Sequence, residues 1–476
     1  MKTRRLLASV AVLSFLLVSA CGSISDSLFG DGDNKDDNGG GNSSGGLFGG
    51  GLGGGDGGAG GEAGPKPCTG LCQKQIQCPG NLTTTLSGKV FDPAGKVPLY
   101  NVLVYVPNAA VDPITTGASC DRCGNVSGDP LVTALTDAKG EFKLENVPIG
   151  TDIPLVIQIG KWRRQLKVPT EIKACADHTI DNSLTRLPRN KGEGDLPQMA
   201  IASGDADPFE CLLTKMGIDT AEFTTDNGTG RVHYYRSNGV DMSPAAPDAA
   251  TLWTNAAKMK TYDIIFLPCE GKPYDKPDGP DQNLVDYTGI GGRVFTTHYG
   301  YVWLYNGASP FPTTGSWDPE QSDKYDAGLP VTVNQGFPKG AAFAQWLVNV
   351  QASQTLGTMT INEGRHDLNS ASDPPSTTWM STDQMPAPTN NGTMHITFNT
   401  PIGVPDTQQC GRVVYSDFHV SASAKTQVKT FPGSCKTGDL SPQEKALEFM
   451  IFDLSSCIQS DKDAPTAPPG SGGGVH

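Results

Sequence analysis

The residues most able to do chemistry in this sequence are two histidines at the ends of predicted buried strands. His298 lies in the stretch GGRVFTTHYGYVWL, where a glycine-lined turn leads into an apolar strand, 293–297, that stops sharply. His419 stands near the end of a second apolar strand, 411–420. Imidazole groups that converge at strand ends suit metal ligation or proton transfer near neutral pH. His298 and His419 are therefore the candidate site residues, although no short histidine motif of a known metalloenzyme accompanies them.

The segment 198–460, which carries both histidines, alternates apolar strands with helical patterns. Strands are predicted at 199–202, 231–235, 262–267 and 293–297, and helices at 209–216, 283–288 and after the capping box Ser441-Pro-Gln-Glu444. This alternation predicts a three-layer α/β domain with a mostly parallel sheet. Ligands in such domains bind beyond the carboxyl ends of the strands, where Glu270, Asp205 or Asp417 could join the two histidines.

Three short stretches of this segment resemble a known family: DIIFLPCEG (263–271), GGRVFTTH (291–298) and RVVYSDFH (412–419). They are similar to class I glutamine amidotransferase-like domains, which are flavodoxin-like, and among these to the trehalose-utilization (ThuA-like) branch. The resemblance covers 198–297 and 411–458. It places the family's nucleophilic cysteine at His298, the triad histidine at His419 and the triad acid at Ser421, while Cys269 falls in the oxyanion loop.

Glutamine hydrolysis needs a thiolate beside a base. Since the resemblance puts His298 where the cysteine belongs, the sequence predicts that this activity is lost. The region between the matched parts does not follow the family pattern. Its polar run Glu363-Gly-Arg365-His366-Asp367 is predicted to be a surface loop.

Residues 65–190 follow a different pattern, with period-two alternation of apolar residues and turn signals at DPAGK and DAKG. Short strands with regular turns predict an antiparallel β-sandwich, so the whole chain is expected to be α+β and multidomain. The residues Gly88-x-Val90, Thr136-Asp137-x-x-Gly140-x-Phe142 and Val147-Pro148-x-Gly150 resemble the carboxypeptidase regulatory-like domain. That resemblance implies a spacer or binding module and no active site.

The chain begins like an exported lipoprotein. Residues 1–21 have a basic start, an apolar run too short to span a bilayer, and the segment Val18-Ser19-Ala20-Cys21, which resembles a bacterial lipobox. Lipidation at Cys21 is therefore predicted, and Gly22 after it favours sorting to the outer membrane. Residues 22–64, of which 19 are glycine, are predicted to form a disordered tether. Residues 461–476 are predicted to be a disordered tail.

Eleven cysteines remain after Cys21, and export favours disulfides among them. The spacing of Cys68, Cys72 and Cys78 with Cys120-x-x-Cys123 would also suit zinc, but the extracytoplasmic setting argues for disulfides. In the second domain the expected positions of the strand ends predict Cys211–Cys269 and Cys410–Cys457. Cys435 is then left unpaired.

The net charge of −14 argues against nucleic acid and against charge-driven binding to anionic lipid. We predict an outer-membrane-anchored lipoprotein that binds or scaffolds a surface protein or glycan, with no cofactor and no metal. The sequence leaves enzyme activity open and favours its absence. The alternative is a carbohydrate-binding or carbohydrate-processing protein that uses the cleft of His298 and His419.

Overall fold

The computed structural model describes residues 68–124, 126–240, 242, 246–276, 278–319, 324–325, 328–386, 390–420, 431–432, 435 and 437–471. The predicted signal segment with Cys21, the predicted tether and Ser421 lie outside these residues. The chain from Pro65 onward forms one compact unit, so the segments predicted as two domains pack together. None of the helices within the described ranges combines the length and apolar character that crossing a bilayer requires.

The N-terminal part contains seven strands in two small sheets. These strands are β1 (Thr85–Lys89), β2 (Leu103–Pro107), β3 (Pro130–Leu135), β4 (Glu141–Glu145), β5 (Pro154–Ile159), β6 (Trp162–Lys167) and β7 (Asp177–Thr179). One sheet has the order β4-β1-β7 and the other β3-β2-β5-β6. All pairs are antiparallel except β1 with β7, which is parallel. The predicted sandwich class of this part stays a prediction.

The second part contains fourteen strands among the described residues: β8 (Met199–Ser203), β9 (Phe223–Thr224), β10 (Val232–Arg236), β11 (Ile264–Leu267), β12 (Arg293–Thr297), β13 (Gly315–Trp317), β14 (Lys324–Tyr325), β15 (Leu329–Val333), β16 (Thr358–Ile361), β17 (Gly364–Arg365), β18 (Leu368–Ala371), β19 (Ser376–Thr382), β20 (Gly392–Thr400) and β21 (Gly411–Ser416). Its α-helices are α1 (Phe209–Lys215), α2 (Ala250–Trp253), α3 (Ala256–Met259), α4 (Asp278–Gly289), α5 (Pro338–Asn349) and α6 (Pro442–Ser455). The predicted capping box of α6 is present, with Ser441 and Glu444 bonded reciprocally.

Ten of these strands form one mixed sheet, in the order β16-β15-β19-β20-β21-β12-β11-β8-β10-β9. The six strands from β21 to β9 are parallel, as predicted for this segment. The other four are antiparallel and come from the region that the family resemblance does not cover. The mostly parallel sheet is therefore correct only for the matched part of the chain.

Both faces of the parallel strands are buried, as near-continuous apolar runs require. Along β11, Ile264 and Phe266 face one hydrophobic cluster, while Ile265 and Leu267 face the other. The first cluster also contains core residues of the two small sheets. Trp162 of β6 packs edge-on against Phe452 of α6 at a centroid distance of 5.7 Å. The two parts of the chain thus share a continuous core.

Five disulfides join the described cysteines: Cys68–Cys72, Cys78–Cys175, Cys120–Cys410, Cys123–Cys457 and Cys211–Cys435. The general prediction of a disulfide framework is correct, but both specific pairings were wrong. Cys410 and Cys457 bond to Cys120 and Cys123 in the insertion between β2 and β3. The shared core brings that insertion against the amino-terminal ends of the parallel strands, where Cys410 directly precedes β21. Cys211 bonds to Cys435, and Cys269 is the free cysteine among the described residues.

The predicted disordered tail is wrong for its described residues, 461–471. Asp461 is 6% exposed and its carboxylate lies 2.7 Å from the guanidinium of Arg412. Further on, the hydroxyl of Thr133 in β3 donates to the carbonyl of Pro468. The amide of Ser471 donates to the carbonyl of Pro130. The segment therefore packs along β3 and belongs to the folded unit.

Candidate functional site

Four central strands of the large sheet deliver the chemical groups of the site. β8, β11, β12 and β21 run parallel, so their carboxyl ends meet at one edge of the sheet. The loops that follow them carry Asp207, Cys269, His298 and His419 respectively. This is the edge at which open α/β sheets bind ligands.

His298 follows β12 directly and adopts a left-handed backbone conformation, with φ of +37°. A non-glycine residue in this region is strained, and such strain concentrates at functional sites. The turn is tight because the chain enters a 3₁₀ helix, His298–Trp303, immediately after the strand. Gly300 makes this possible, since a Cβ there would lie 1.9 Å from the hydroxyl of Thr296. The sharp stop read from the sequence is thus real.

The imidazole of His298 is 6% exposed and has close neighbours on each side. Its Nδ1 lies 3.3 Å from the Sγ of Cys269, and its Nε2 lies 3.6 Å from Oδ2 of Asp367. The ring stacks on Tyr299 at a centroid distance of 3.8 Å. Burial, with the charges of His419 and Arg365, lowers the pKa of His298 well below its ordinary value.

His419 is held by a buried carboxylate, Asp207. The Nδ1 of His419 lies 2.9 Å from Oδ1 of Asp207, which also accepts the amide of Val420. The other oxygen of Asp207 accepts the hydroxyl of Thr297. Burial opposes the charge of Asp207, but His419 and these hydrogen bonds outweigh it, so the pKa of Asp207 lies below its ordinary value. The carboxylate orients the imidazole and leaves Nε2 as its remaining ring nitrogen.

The two histidine rings meet edge to face, with centroids 4.8 Å apart and planes at 80°. One ligand atom from each of Cys269, His298 and His419 can be chosen so that all lie within 4.8 Å of one another. All three residues are buried. His298 and His419 therefore lie together, and a thiol that the sequence placed in a disulfide joins them.

Cys269 does not restore a cysteine nucleophile. It is fully buried, and burial together with the negative charge of Asp207 raises the pKa of the thiol above its ordinary value. The pKa of the adjacent His298 is lowered, so burial disfavours both the thiolate and the imidazolium form of this pair. Nucleophilic attack needs the thiolate.

Two further buried carboxyl groups, those of Asp367 and Asp417, border the site. Asp417 accepts the amides of Asp367 and Leu368 at 2.8 and 3.1 Å and the hydroxyl of Tyr415 at 2.9 Å. Asp367 is 3% exposed, and its Oδ2 has no hydrogen-bond partner among the described residues. Burial and the neighbouring Asp417 raise the pKa of Asp367 above its ordinary value. Asp367 therefore lies next to His298 at 3.6 Å without a hydrogen bond to it, whereas Asp207 is hydrogen-bonded to His419 at 2.9 Å.

The other acids proposed from the sequence have different places. Glu270 pairs with Lys276 at 2.8 Å and accepts hydrogen bonds from Ser237 and Asn238. Asp205 packs against the backbone of Gly239 and Gly271. The described polar contacts of Glu270 therefore go to Lys276, Ser237 and Asn238 and not to the two histidines. Asp417 is linked to the His298 backbone through the hydroxyl of Tyr415, which contacts both Oδ1 of Asp417 and the carbonyl of His298.

Two functional residues were not found from the sequence. Asp207 follows the predicted strand in the run Ser203-Gly-Asp-Ala-Asp207, and only its acidic type in that loop could have signalled it. Asp367 was assigned to a surface loop, which was wrong. The segment is buried because the amide of Arg365 donates to the carbonyl of Asp417 at 2.7 Å, which seats it beside β21.

Comparisons with known proteins add a likeness of fold at low similarity. No family model matches the chain, and no curated protein matches it. A ThuA-like protein from Parabacteroides merdae is 12% identical over 58% of this chain and 97% of its own, with a TM-score of 0.29. A ThuA-like protein from Bacteroides uniformis is 9% identical over 46% and 89%, with a TM-score of 0.24. A cytoplasmic protein from Salmonella typhimurium is 12% identical over 48% and 89%, with a TM-score of 0.27. At these scores the likeness assigns no activity to this chain.

Proposed function

We propose that this protein is an exported lipoprotein, anchored through Cys21, that binds a small polar ligand at the edge of its large sheet. The observation that carries the ligand site is the buried convergence of His298, His419 and Cys269, with Asp207 holding one histidine. Strained backbone and buried charge both cost stability. A cleft that had lost its function would not need to keep either of them. The site is therefore favoured over the inactive cleft predicted from the sequence.

The lipid anchor rests on the lipobox-like residues Val18 to Cys21 and on the glycine-rich segment behind them. Acyl chains supply membrane affinity of about 0.8 kcal/mol per buried CH₂. A tether of this composition reaches roughly 35–40 Å, enough to hold the folded unit away from the lipid. Labelling cells with an alkyne fatty acid tests the anchor. Label that is absent from wild type, or that persists in Cys21→Ala, contradicts it.

Carbohydrate is the ligand class that we propose first. Three tyrosine rings form a row that starts at His298. Tyr299 stacks on His298, and the ring centroids of Tyr299 and Tyr301 are 6.0 Å apart. Those of Tyr301 and Tyr305 are 6.4 Å apart. Tyr305 is 42% exposed and Tyr299 is half-buried, whereas Tyr301 is only 4% exposed and packs between them. Amphipathic rings next to buried carboxylates suit a ligand with apolar faces and many hydroxyls. The tryptophans contribute less, since Trp303, Trp346 and Trp379 are buried.

The test is a thermal-shift screen of the full mature chain in detergent against mono- and oligosaccharides. A ligand at a hundred times its dissociation constant stabilises the folded state by about 2.7 kcal/mol, which such a screen detects. We expect a shift in wild type that is lost in His419→Asn. The matched control is His178→Ala, because His178 lies in β7 of the N-terminal part. A shift that survives His419→Asn would place binding elsewhere, and the absence of any shift would refute the sugar proposal.

A further inference from the structure

We infer that Cys269, His298 and His419 bind a single zinc-type divalent metal ion, with the fourth coordination position left to water or ligand. This inference rests on the proposed function, because it names what the same site uses to hold its ligand. Thiolate and imidazole together are a donor set that zinc prefers over hard cations such as calcium and magnesium. Three protein ligands with an open fourth position are the arrangement of zinc sites that act on a ligand.

The distances fit a tetrahedral site after a small closure. Bond lengths of about 2.3 Å for zinc to sulfur and 2.05 Å for zinc to nitrogen set a tetrahedral edge of about 3.6 Å. The Sγ of Cys269 and the Nδ1 of His298 are already 3.3 Å apart. All ligand atoms of the set lie within 4.8 Å of one another. Bringing a pair at that limit to a tetrahedral edge of about 3.3 to 3.6 Å needs a movement of at most about 1.5 Å.

The groups behind the histidines support the same assignment. Metal-bound histidines almost always donate their other ring N–H to a carboxylate or carbonyl. Asp207 takes this position for His419, at 2.9 Å from Nδ1, which leaves Nε2 to face the metal. If His298 binds through Nδ1, its Nε2–H points to Oδ2 of Asp367 at 3.6 Å. That oxygen is buried without a hydrogen-bond partner among the described residues, and an approach of a few tenths of an ångström by His298 would supply one.

The charges around the cluster and the free thiol of Cys269 are both consistent with a bound metal cation. Asp207 is the carboxylate hydrogen-bonded to the cluster, and Arg365, whose charge acts on His298, is paired with Glu363. A divalent metal with one thiolate carries a net charge of +1, which the buried carboxylate of Asp207 offsets. Ten of the described cysteines form disulfides, and Cys269 is the described cysteine that keeps a free thiol. A metal would hold that thiol as a thiolate within an otherwise oxidised protein.

The experiment uses the full chain, stripped with chelator and reloaded with one equivalent of Zn²⁺ or Co²⁺. We expect one zinc per chain by elemental analysis and a near-ultraviolet sulfur-to-cobalt charge-transfer band in the cobalt form. Asp207→Asn should weaken zinc binding 10- to 100-fold, as outer-sphere partners of ligating histidines typically do. Cys269→Ser should abolish the cobalt band, and His178→Ala should change nothing.

The wild-type protein alone can refute the inference, whatever happens to the folding of the variants. Sub-stoichiometric zinc, or a cobalt form without the sulfur band, overturns it. So does a band that survives in folded Cys269→Ser. The two proposals fail separately: metal-free protein that still shows a sugar shift lost in His419→Asn retains the ligand site without the metal. Stoichiometric zinc without any sugar shift retains the metal and removes carbohydrate.

Discussion

The bridge Cys123–Cys457 is predicted to contribute about 4 kcal/mol to the free energy of unfolding. It lies beside Cys120–Cys410, so the neighbouring bridge already closes the large loop between the two parts. Cys120 and Cys123 are three positions apart in the sequence, and Cys410 and Cys457 are 47 positions apart. Removing the second bridge therefore releases a loop of about 50 residues, for which the chain-entropy relation yields about 4 kcal/mol.

The perturbation is the double variant Cys123→Ser/Cys457→Ser, which leaves no new free thiol. Both cysteines are only partly buried, so serine adds little desolvation cost. Urea unfolding under non-reducing conditions, followed by tryptophan fluorescence, measures the change. The matched control is Cys68→Ser/Cys72→Ser, whose bridge closes a loop of about five residues and should cost only about 2 kcal/mol.

The reasoning requires that the two parts of the chain unfold together. A single transition that moves to lower urea with unchanged slope supports it. Two resolved transitions in wild type would contradict the shared core. A loss no larger than that of the control would show that the bridge does not constrain the unfolded chain as the loop length implies.

Two further predictions concern buried charge. Burial, reinforced by Asp207, raises the pKa of Glu210 to about 8 from 4.5, so the folded state keeps a proton that the unfolded state has released above pH 4.5. Stability from this group is therefore lost as pH rises from 4.5 to 8, by up to about 5 kcal/mol. Glu210→Gln should match wild type at pH 4.5 and exceed it at pH 9 in urea unfolding, and equal curves at both values would contradict the assignment. Asp461→Ala should cost about 3–5 kcal/mol, because it leaves Arg412 and Lys339 buried with one fewer carboxylate. Lys462→Ala, whose pair with Asp373 is exposed, is its control and should cost under about 1 kcal/mol in the same assay.

Local elements of the second part were predictable from the residues. β12 (Arg293–Thr297) has the bounds read from its apolar run, and α6 begins at the predicted capping box. α4 was predicted only over 283–288, although it extends from Asp278 to Gly289. Periodicity and capping are local signals, so they survive without knowledge of the partners. The stop after β12 was also visible, because Gly300 and the change of pattern lie within a few residues of His298.

The convergence of His298 and His419 followed from the sequence once both were placed at the carboxyl ends of parallel strands. The contacts that decide their chemistry did not follow. Asp207 and His419 are separated by 212 residues, and Cys269 and His298 by 29. Which carboxylate contacts which histidine depends on the orientation of side chains in loops, and no local sequence pattern predicts that orientation.

Sequence alone determined the strand and helix pattern of the α/β segment, the candidate histidines and the expectation of a disulfide framework. Tertiary structure alone decided the cysteine pairing, the antiparallel half of the large sheet and the packing of residues 461–471. The reason is physical in each case. A strand or helix forms largely from the spacing of its own residues, whereas a disulfide, a sheet order or a buried carboxylate depends on which distant segments the shared core brings together.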